Sequence, residues 1–272
     1  MRRHDPAARP LLVRVALGIA YRGSAYSGWQ SQPSGRTVQD RVEAALAAFA
    51  DASVSTICAG RTDAGVHAIN QVVHFDTDVV RALDGWTRGT NRYLPADIAV
   101  QWSRFVDDRF HSRASARGRR YAYLLLESPV RPAIENGLAG WTFRSLDGDA
   151  MRRGAAALVG RHDFSAFRAA ECQANSPVKT LRSLAIERRG AYWRFDFDAD
   201  AFLHHMVRNI IGSLVMVGSG VRSDGWLAEV LAARDRALAA PTFAPDGLYF
   251  VGPYYDAVHE IPDRTPALDW LP

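Results

Sequence analysis

The order of strand-like and helix-like patterns constrains the fold of this chain more than any other sequence feature. Alternating or β-branched runs predict strands, and apolar residues at helical spacing predict helices. The first half shows the order β-α-β-β-α-β, at residues 13–21, 37–50, 54–59, 71–75, 81–92 and 98–105. The second half repeats this order with one additional helix, at residues 119–126, 147–159, 180–187, 192–199, 202–217, 226–233 and 248–254.

Two consecutive split-βαβ units predict an α+β fold. We expect two similar ferredoxin-like or RRM-like halves to form one extended, mostly antiparallel sheet with the helices packed on one face. Residues 1–10 are predicted to be a flexible leader, 11–108 an N-terminal α/β subdomain and 109–272 a C-terminal α/β subdomain. With 272 residues, 48% of them hydrophobic, the chain is long enough for each half to have its own core.

Arginine dominates the positive charge, because only one of the 33 basic residues, Lys179, is lysine and the net charge is +4. An arginine cluster lies directly before two tyrosines: Arg113, Arg117, Arg119, Arg120, Tyr121 and Tyr123. Arginine binds phosphate through its planar fork, and aromatic rings stack on bases. The cluster therefore predicts a nucleic-acid-binding surface, with an ordinary solvated face as the alternative.

The rest of the composition indicates an intracellular protein. No apolar run approaches the roughly 18 residues that a membrane helix requires, so we expect no membrane partner. Cys58 and Cys172 are far apart in the sequence and are expected to stay reduced. We predict a cytoplasmic location.

A short loop between two predicted strands carries the strongest candidate for catalysis. Gly60 and Gly65 bracket Arg61 and Asp63, and glycine permits sharp turns and the close approach of a ligand. A loop held between two strands can mount a catalytic group rigidly. From spacing alone, an ordinary strand connection with a surface Arg61–Asp63 pair is an equally acceptable interpretation.

The loop resembles a motif of the tRNA pseudouridine synthase I family, at residues 60–67 (GRTDAGVH). Five further segments resemble motifs of this family in the same order: YRGSAYSGWQ at 21–30, FHSRASARGRRYAY at 110–123, DFSAFR at 163–168, FLHHMVRN at 202–209 and GLY at 247–249. The resemblance implies an enzyme that isomerises uridine to pseudouridine in the anticodon stem-loop of tRNA, at tRNA positions 38, 39 and 40.

The resemblance also implies roles for individual residues. Asp63 matches the catalytic aspartate, which acts as the nucleophile, and Arg61 matches the arginine beside it. Tyr121 matches the tyrosine that stacks on the flipped base, and Leu248 matches an apolar residue of the uracil pocket. The implied partners are tRNA and a second subunit in a homodimer. No cofactor is expected, because the isomerisation needs neither a redox step nor an external energy source.

Several chemical routes are open to a carboxylate at position 63. It can attack the sugar, remove the 2′ proton or add to C6 of the base, and the residue types do not choose among these routes. Each route needs the charged carboxylate, which Arg61 is expected to favour by pairing with it. The target base must leave its stack, and Tyr121 can provide a flat apolar partner for it.

Two adjacent histidines, His204 and His205, raise the question of a metal site. Within a helix spanning 202–217, adjacent side chains point about 100° apart, so we predict no metal site there. His205 and Arg208 are predicted to lie on one face of this helix, one turn apart. They are expected to contact the substrate RNA or the Asp63 loop.

Two alternative functions remain open at this point. A non-catalytic RNA-binding protein could use the same two sheet platforms, although it would not need an aspartate in a phosphate-rich site. A pseudouridine synthase with other RNA targets would share every motif. The chain has Arg22, Tyr93 and Ser112 where aspartate, asparagine and alanine are usual in the family, and the first two departures bear on which uridines are modified.

Overall fold

The computed structural model describes residues 12–172 and 174–263, so the leader predicted at residues 1–10 lies outside the described part of the chain. The described residues form one sheet of ten strands. The strands are β1 (Val13–Tyr21), β2 (Ile57–Cys58), β3 (His67–Thr77), β4 (Ile98–Val106), β5 (Gly118–Glu127), β6 (Gly140–Thr142), β7 (Gly160–Asp163), β8 (Val178–Arg189), β9 (Tyr192–Ala199) and β10 (Leu248–Tyr254). The sequence patterns do not predict the short strands β6 and β7.

The α-helices in the described residues are α1 (Val38–Ala50), α2 (Leu83–Asn91), α3 (Gly148–Ala156), α4 (Met206–Gly218) and α5 (Trp226–Ala233). Thr37 caps α1: its hydroxyl accepts from the Asp40 N–H, and the Asp40 carboxylate accepts from the Thr37 N–H. The predicted start of α4 at residue 202 is wrong, because the helix begins at Met206. No helix in the described ranges is both long and apolar enough to cross a bilayer.

The sheet contains the same strand order twice. The full order is β4-β1-β3-β10-β5-β9-β8-β7, and β2 also pairs with β3. The first half therefore runs β4-β1-β3-β2, and the second half runs β10-β5-β9-β8 with each strand in the place of its counterpart. The halves join where β10 pairs in parallel with the start of β3. The predicted α+β fold with two similar halves is confirmed, while the subdomain boundary at residue 108 stays a prediction.

Both groups of helices pack on the same face of the sheet. In the first half, Leu46 and Trp86 of α1 and α2 are fully buried with Leu17 of β1. In the second half, Met151, Ile210 and Leu227 of α3, α4 and α5 are fully buried with Phe195 of β9. Full burial of such a side chain stabilises the fold by about 1.5–3 kcal/mol. The two cores meet at Tyr121, which packs against both of them. The seam between the halves therefore lies on the helix-facing side of β5 and β10.

Candidate active site

The Asp63 loop, residues 59–66, connects β2 to β3 and is held by the segment that follows β1. The Tyr21 hydroxyl and Thr62 Oγ1 share a hydrogen bond of 2.7 Å. The Trp29 N–H donates to the Thr62 carbonyl at 3.0 Å, and the Gly65 N–H donates to the Tyr26 carbonyl at 3.4 Å. These bonds join the two sequence segments that carry the first two family-like motifs. They fix the backbone on both sides of Asp63.

Gly28 supports this loop through close backbone contact. Its φ is +90°, and a Cβ atom there would lie 2.7 Å from the Thr62 carbonyl oxygen and 3.2 Å from the Ala64 nitrogen. An alanine would therefore push the backbone that carries Asp63 out of place. We expect Gly28→Ala to lower the isomerase activity that the family resemblance implies by more than tenfold. Activity assays measure this loss, and circular-dichroism melting curves measure the accompanying change in stability.

Gly35 offers a matched control for this substitution. Its φ is +62°, but nothing lies within 4 Å of a Cβ atom built there. Gly35→Ala should therefore lower the free energy of unfolding only by the penalty of a left-handed alanine, about 1–2 kcal/mol. It should leave activity unchanged. Equal activities of the two variants would contradict the role of Gly28 in positioning the loop.

Three positively charged or basic side chains surround the Asp63 carboxylate, whose side chain is 22% exposed. Arg208 Nη1 donates to Asp63 Oδ2 at 3.1 Å. His204 Nε2 lies 3.2 Å from Oδ1, and His205 Nε2 lies 3.3 Å from Oδ2. The Nε atom of Arg208 also donates to the Phe243 carbonyl at 2.8 Å, which fixes the guanidinium against the carboxylate.

The expected pairing of Arg61 with Asp63 is wrong. Arg61 is exposed, and within the described ranges the ion pairs of Asp63 involve Arg208, His204 and His205. The guanidinium beside the carboxylate therefore belongs to Arg208. Arg61 lines the same cleft, where its charge is available to a bound ligand.

His204 and His205 lie before α4 rather than within it. His205 adopts a left-handed conformation, with φ 62° and ψ 1°, and both imidazoles lie over Asp63 with ring centroids 4.0 Å apart. The expectation that the two side chains diverge on a helix was therefore wrong, whereas the expected contact of His205 and Arg208 with the Asp63 loop is observed. Burial lowers the pKa of His205, although Asp63 opposes this shift.

Tyr121 lies in β5 on the face that carries the helices. Its ring packs edge-on against Phe202, with centroids 5.0 Å apart, and at 38° to the ring of Phe250, also at 5.0 Å. Burial, and then the charge of Asp63, raise the pKa of Tyr121, so its hydroxyl stays protonated at neutral pH. Tyr123, two residues on, is fully buried and donates to the Ala244 carbonyl at 2.8 Å. Tyr123 is therefore a core residue of the strand, not part of the cleft surface.

A cleft of about 1210 Å³ opens over these residues. It brings together most of the residues that the sequence singles out: Arg61, Asp63, Arg113, Arg119, Tyr121, His205, Arg208 and Leu248. His204 and Phe202 also line it, although the sequence interpretation did not include them among the site residues. The adjacent His-His pair was visible in the sequence. The helix predicted through it implied that the two rings point apart, whereas both contact Asp63.

The arginine cluster is divided by the sheet. Arg119 lies on the cleft side, where Nη2 donates to the Ala59 carbonyl at 3.1 Å, and Arg113 Nε donates to the Cys58 carbonyl at 3.4 Å. These two residues support the start of the Asp63 loop. Side chains alternate along a strand, so Arg120 points to the other face, where it lies 3.6 Å from Asp198. Arg117 pairs with Asp256 at 2.6 Å, and neither it nor Arg120 lines the cleft.

Comparison with known proteins assigns the chain to a family. The family described as tRNA pseudouridine synthase matches residues 18–113 and 155–256, well over half of the chain. A protein of Methylibium petroleiphilum called tRNA pseudouridine synthase A is 71% identical over 260 residues, which cover 96% of this chain and 100% of that protein. Proteins of the same name from Polaromonas naphthalenivorans and Paracidovorax citrulli are 62% and 61% identical at the same coverage of both chains. Identity at this level over the full length of each relative leaves one conclusion: the chain belongs to the tRNA pseudouridine synthase family.

Proposed function

We propose that this protein isomerises uridine to pseudouridine in the anticodon stem-loop of tRNA, at tRNA positions 38, 39 and 40. The observation that carries the proposal is the Asp63 carboxylate, which faces an open cleft beside Arg208 and Tyr121. The relatives named tRNA pseudouridine synthase A support tRNA as the substrate. A protein that only binds RNA would gain nothing from a carboxylate in this position.

The reaction breaks the N1–C1′ bond of the target uridine and forms a C5–C1′ bond to the same uracil, so no atom is gained or lost apart from exchange of protons. We assign Asp63 as the nucleophile. Arg208 Nη1 donates a hydrogen bond to Oδ2 and so holds the carboxylate in place. The guanidinium of Arg208 occupies Oδ2 of the carboxylate, which leaves Oδ1 directed towards His204 and the cleft.

The target base must be turned out of its stack to reach Asp63. Tyr121 offers the flat surface on which it can stack, and Leu248 and Val66 provide apolar wall beside it. Arg61, Arg113 and Arg119 are the cleft residues that can meet phosphate. Arg117 and Arg120 would contact RNA only outside the cleft.

The homodimer and the cytoplasmic location stay expectations of the proposal. A tRNA-modifying enzyme meets its substrate in the cytoplasm, and the family resemblance implies two subunits around one tRNA. Sedimentation of the purified protein with and without tRNA tests the dimer.

Mapping of the product tests the proposed function. Unmodified tRNA transcripts are incubated with the purified protein, and pseudouridine is located nucleotide by nucleotide. We expect modification at tRNA positions 38, 39 and 40. Pseudouridine at other positions would leave the chemistry intact and overturn the target assignment. Tight binding of tRNA without any pseudouridine would favour the non-catalytic RNA-binding protein.

Tyr121→Leu should reduce turnover more than tRNA affinity, because the ring supports the base only after it has been flipped. Stacking of a base on an aromatic ring is worth about 1–3 kcal/mol, so single-turnover rates should fall about 5–150-fold. Tyr121→Phe keeps the ring and its contacts with Phe202 and Phe250, and should retain most activity. If the phenylalanine variant were as slow as the leucine variant, the hydroxyl rather than the ring would be the functional part.

A further inference from the structure

We infer that Asp63, His204 and His205 form a binding site for a zinc-type divalent metal ion, and that an ion bound there inhibits the enzyme. The inhibitory half of the inference rests on the proposed function, because Asp63 is its nucleophile. The binding half rests on the geometry of these three side chains alone.

The ligand atoms have the spacing of a chelating set. His204 Nε2 lies 3.2 Å from Asp63 Oδ1 and His205 Nε2 lies 3.3 Å from Asp63 Oδ2, and one atom from each of the three residues lies within 4.8 Å of the others. Zinc bonds of about 2.0–2.2 Å place tetrahedral ligand atoms about 3.4 Å apart. The His204–Oδ1 pair already has this spacing, and a side-chain rotation that brings His205 Nε2 from Oδ2 towards Oδ1 would complete the set around one ion.

The backbone presents the two imidazoles together at a conformational cost. His205 has φ 62°, a region that residues other than glycine rarely adopt. Strain of this kind is concentrated at functional sites. Because the backbone reverses at His205, the preceding His204 and His205 itself both reach Asp63, which a continuous helix would not allow.

The site is open to an ion from solution. Side chains of Asp63, His205 and His204 are 22%, 27% and 40% exposed, and all three line the cleft. Two imidazoles and one carboxylate leave at least one position for water, as in zinc sites with three protein ligands. Imidazole favours zinc, copper and nickel over magnesium, so the magnesium that accompanies tRNA should not occupy the site.

Arg208 limits the strength of binding but does not block it. Its guanidinium takes Oδ2 of Asp63 and is held by the Phe243 carbonyl, whereas Oδ1 faces His204. A carboxylate has lone pairs enough for an arginine on one oxygen and a metal ion on the other. The nearby positive charge repels a second cation, so we expect a reversible site that chelators empty readily.

A metal ion bound to Asp63 would coordinate the carboxylate lone pairs that otherwise attack the nucleoside. It would also occupy part of the cleft, lined by Tyr121 as well, that the flipped base needs. Zinc should therefore compete with the target uridine, and inhibition should weaken as tRNA concentration rises.

Binding is tested on the full-length protein without RNA. Isothermal titration with zinc chloride should show one site per chain, and cobalt(II) should give the visible absorption of a low-symmetry site. His204→Ala and His205→Ala should each weaken zinc binding by at least about tenfold, since residues that merely orient a ligand already cost about 10–100-fold when removed. His204→Gln, which keeps more of the side-chain volume, serves if the alanine variant folds poorly.

His162→Ala is the matched control. His162 lies in β7, where Nε2 contacts the Val159 carbonyl at 3.1 Å, and it is not part of the cleft. This variant should bind zinc as the unchanged protein does. Equal zinc affinities for all the histidine variants, or no saturable binding to the unchanged protein, would overturn the site.

Inhibition is tested separately by pseudouridine formation in zinc, with a chelator added at the end. We expect loss of activity with zinc, recovery with the chelator and no loss with an equal concentration of magnesium chloride. Saturable binding without inhibition would overturn the inhibitory half alone. An enzyme that forms no pseudouridine even without zinc would refute the proposed function, while the titrations would still decide the metal site.

Discussion

Asp63→Asn should abolish pseudouridine formation while tRNA binding stays within a few-fold of that of the unchanged protein. The amide has nearly the shape of the carboxylate but cannot act as a nucleophile. Removal of such a group costs at least about 10⁴-fold in other enzymes with covalent intermediates. Affinity should hold or rise slightly, because a negative charge disappears from a cleft lined by arginines. Release of the C5 hydrogen from labelled tRNA measures the rate, and filter binding measures the affinity.

Glu171→Gln is the matched control for this experiment. Glu171 is an exposed carboxylate that lines the same cleft. Arg208 forms its ion pair with Asp63 rather than with Glu171. Its replacement removes the same charge and should leave the rate near that of the unchanged protein. An Asp63→Asn rate within tenfold of the unchanged enzyme would exclude Asp63 as the nucleophile.

Arg208→Gln should reduce turnover far more than Arg61→Gln, although Arg61 is nearer to Asp63 in the sequence. Arg208 is 14% exposed and donates to both Asp63 and the Phe243 carbonyl. A hydrogen bond to a charged group contributes about 1.5–3 kcal/mol, which corresponds to about 10–150-fold in rate if the interaction persists in the transition state. Arg61→Gln removes an exposed charge from the cleft and should raise KM with little effect on kcat.

The split between kcat and KM separates a positioning role of Arg208 from a general loss of stability. Arg208→Lys keeps the positive charge and should recover part of kcat, whereas a purely structural defect would not follow charge. Melting curves for each variant give the fraction folded at the assay temperature. If Arg61→Gln lost more kcat than Arg208→Gln, the pairing predicted from the sequence would have to be restored.

Local patterns predicted the elements well where one short segment decides the outcome. The bounds of β1, α5 and β10 match the predictions, because periodicity depends on neighbouring residues. The short strands β6 and β7 were missed, since their 3 and 4 residues are too few to show an alternating pattern.

The segment before α4 shows the limit of periodicity. Residues 202–205 continue the apolar and polar spacing of the helix, yet His205 turns left-handed and the helix starts one residue later. In that conformation both histidines contact Asp63, which comes from another part of the chain. The helical pattern alone therefore predicted that the side chains of His204 and His205 point in different directions and that they form no metal site.

By itself, the sequence determined the class of fold, the two-fold repetition of its strand order, and the loop and strand that carry Asp63 and Tyr121. Those features depend on side-chain periodicity and on motifs contained in single segments. Only the tertiary structure decided which guanidinium meets Asp63, where the two histidines point and which arginines share the cleft. Arg208 and Asp63 are 145 residues apart, and their contact depends on how two packed halves bring a loop and a helix start to one seam. The local pattern of the second segment left open whether Arg208 meets RNA or the Asp63 loop, because such a pattern does not include long-range packing.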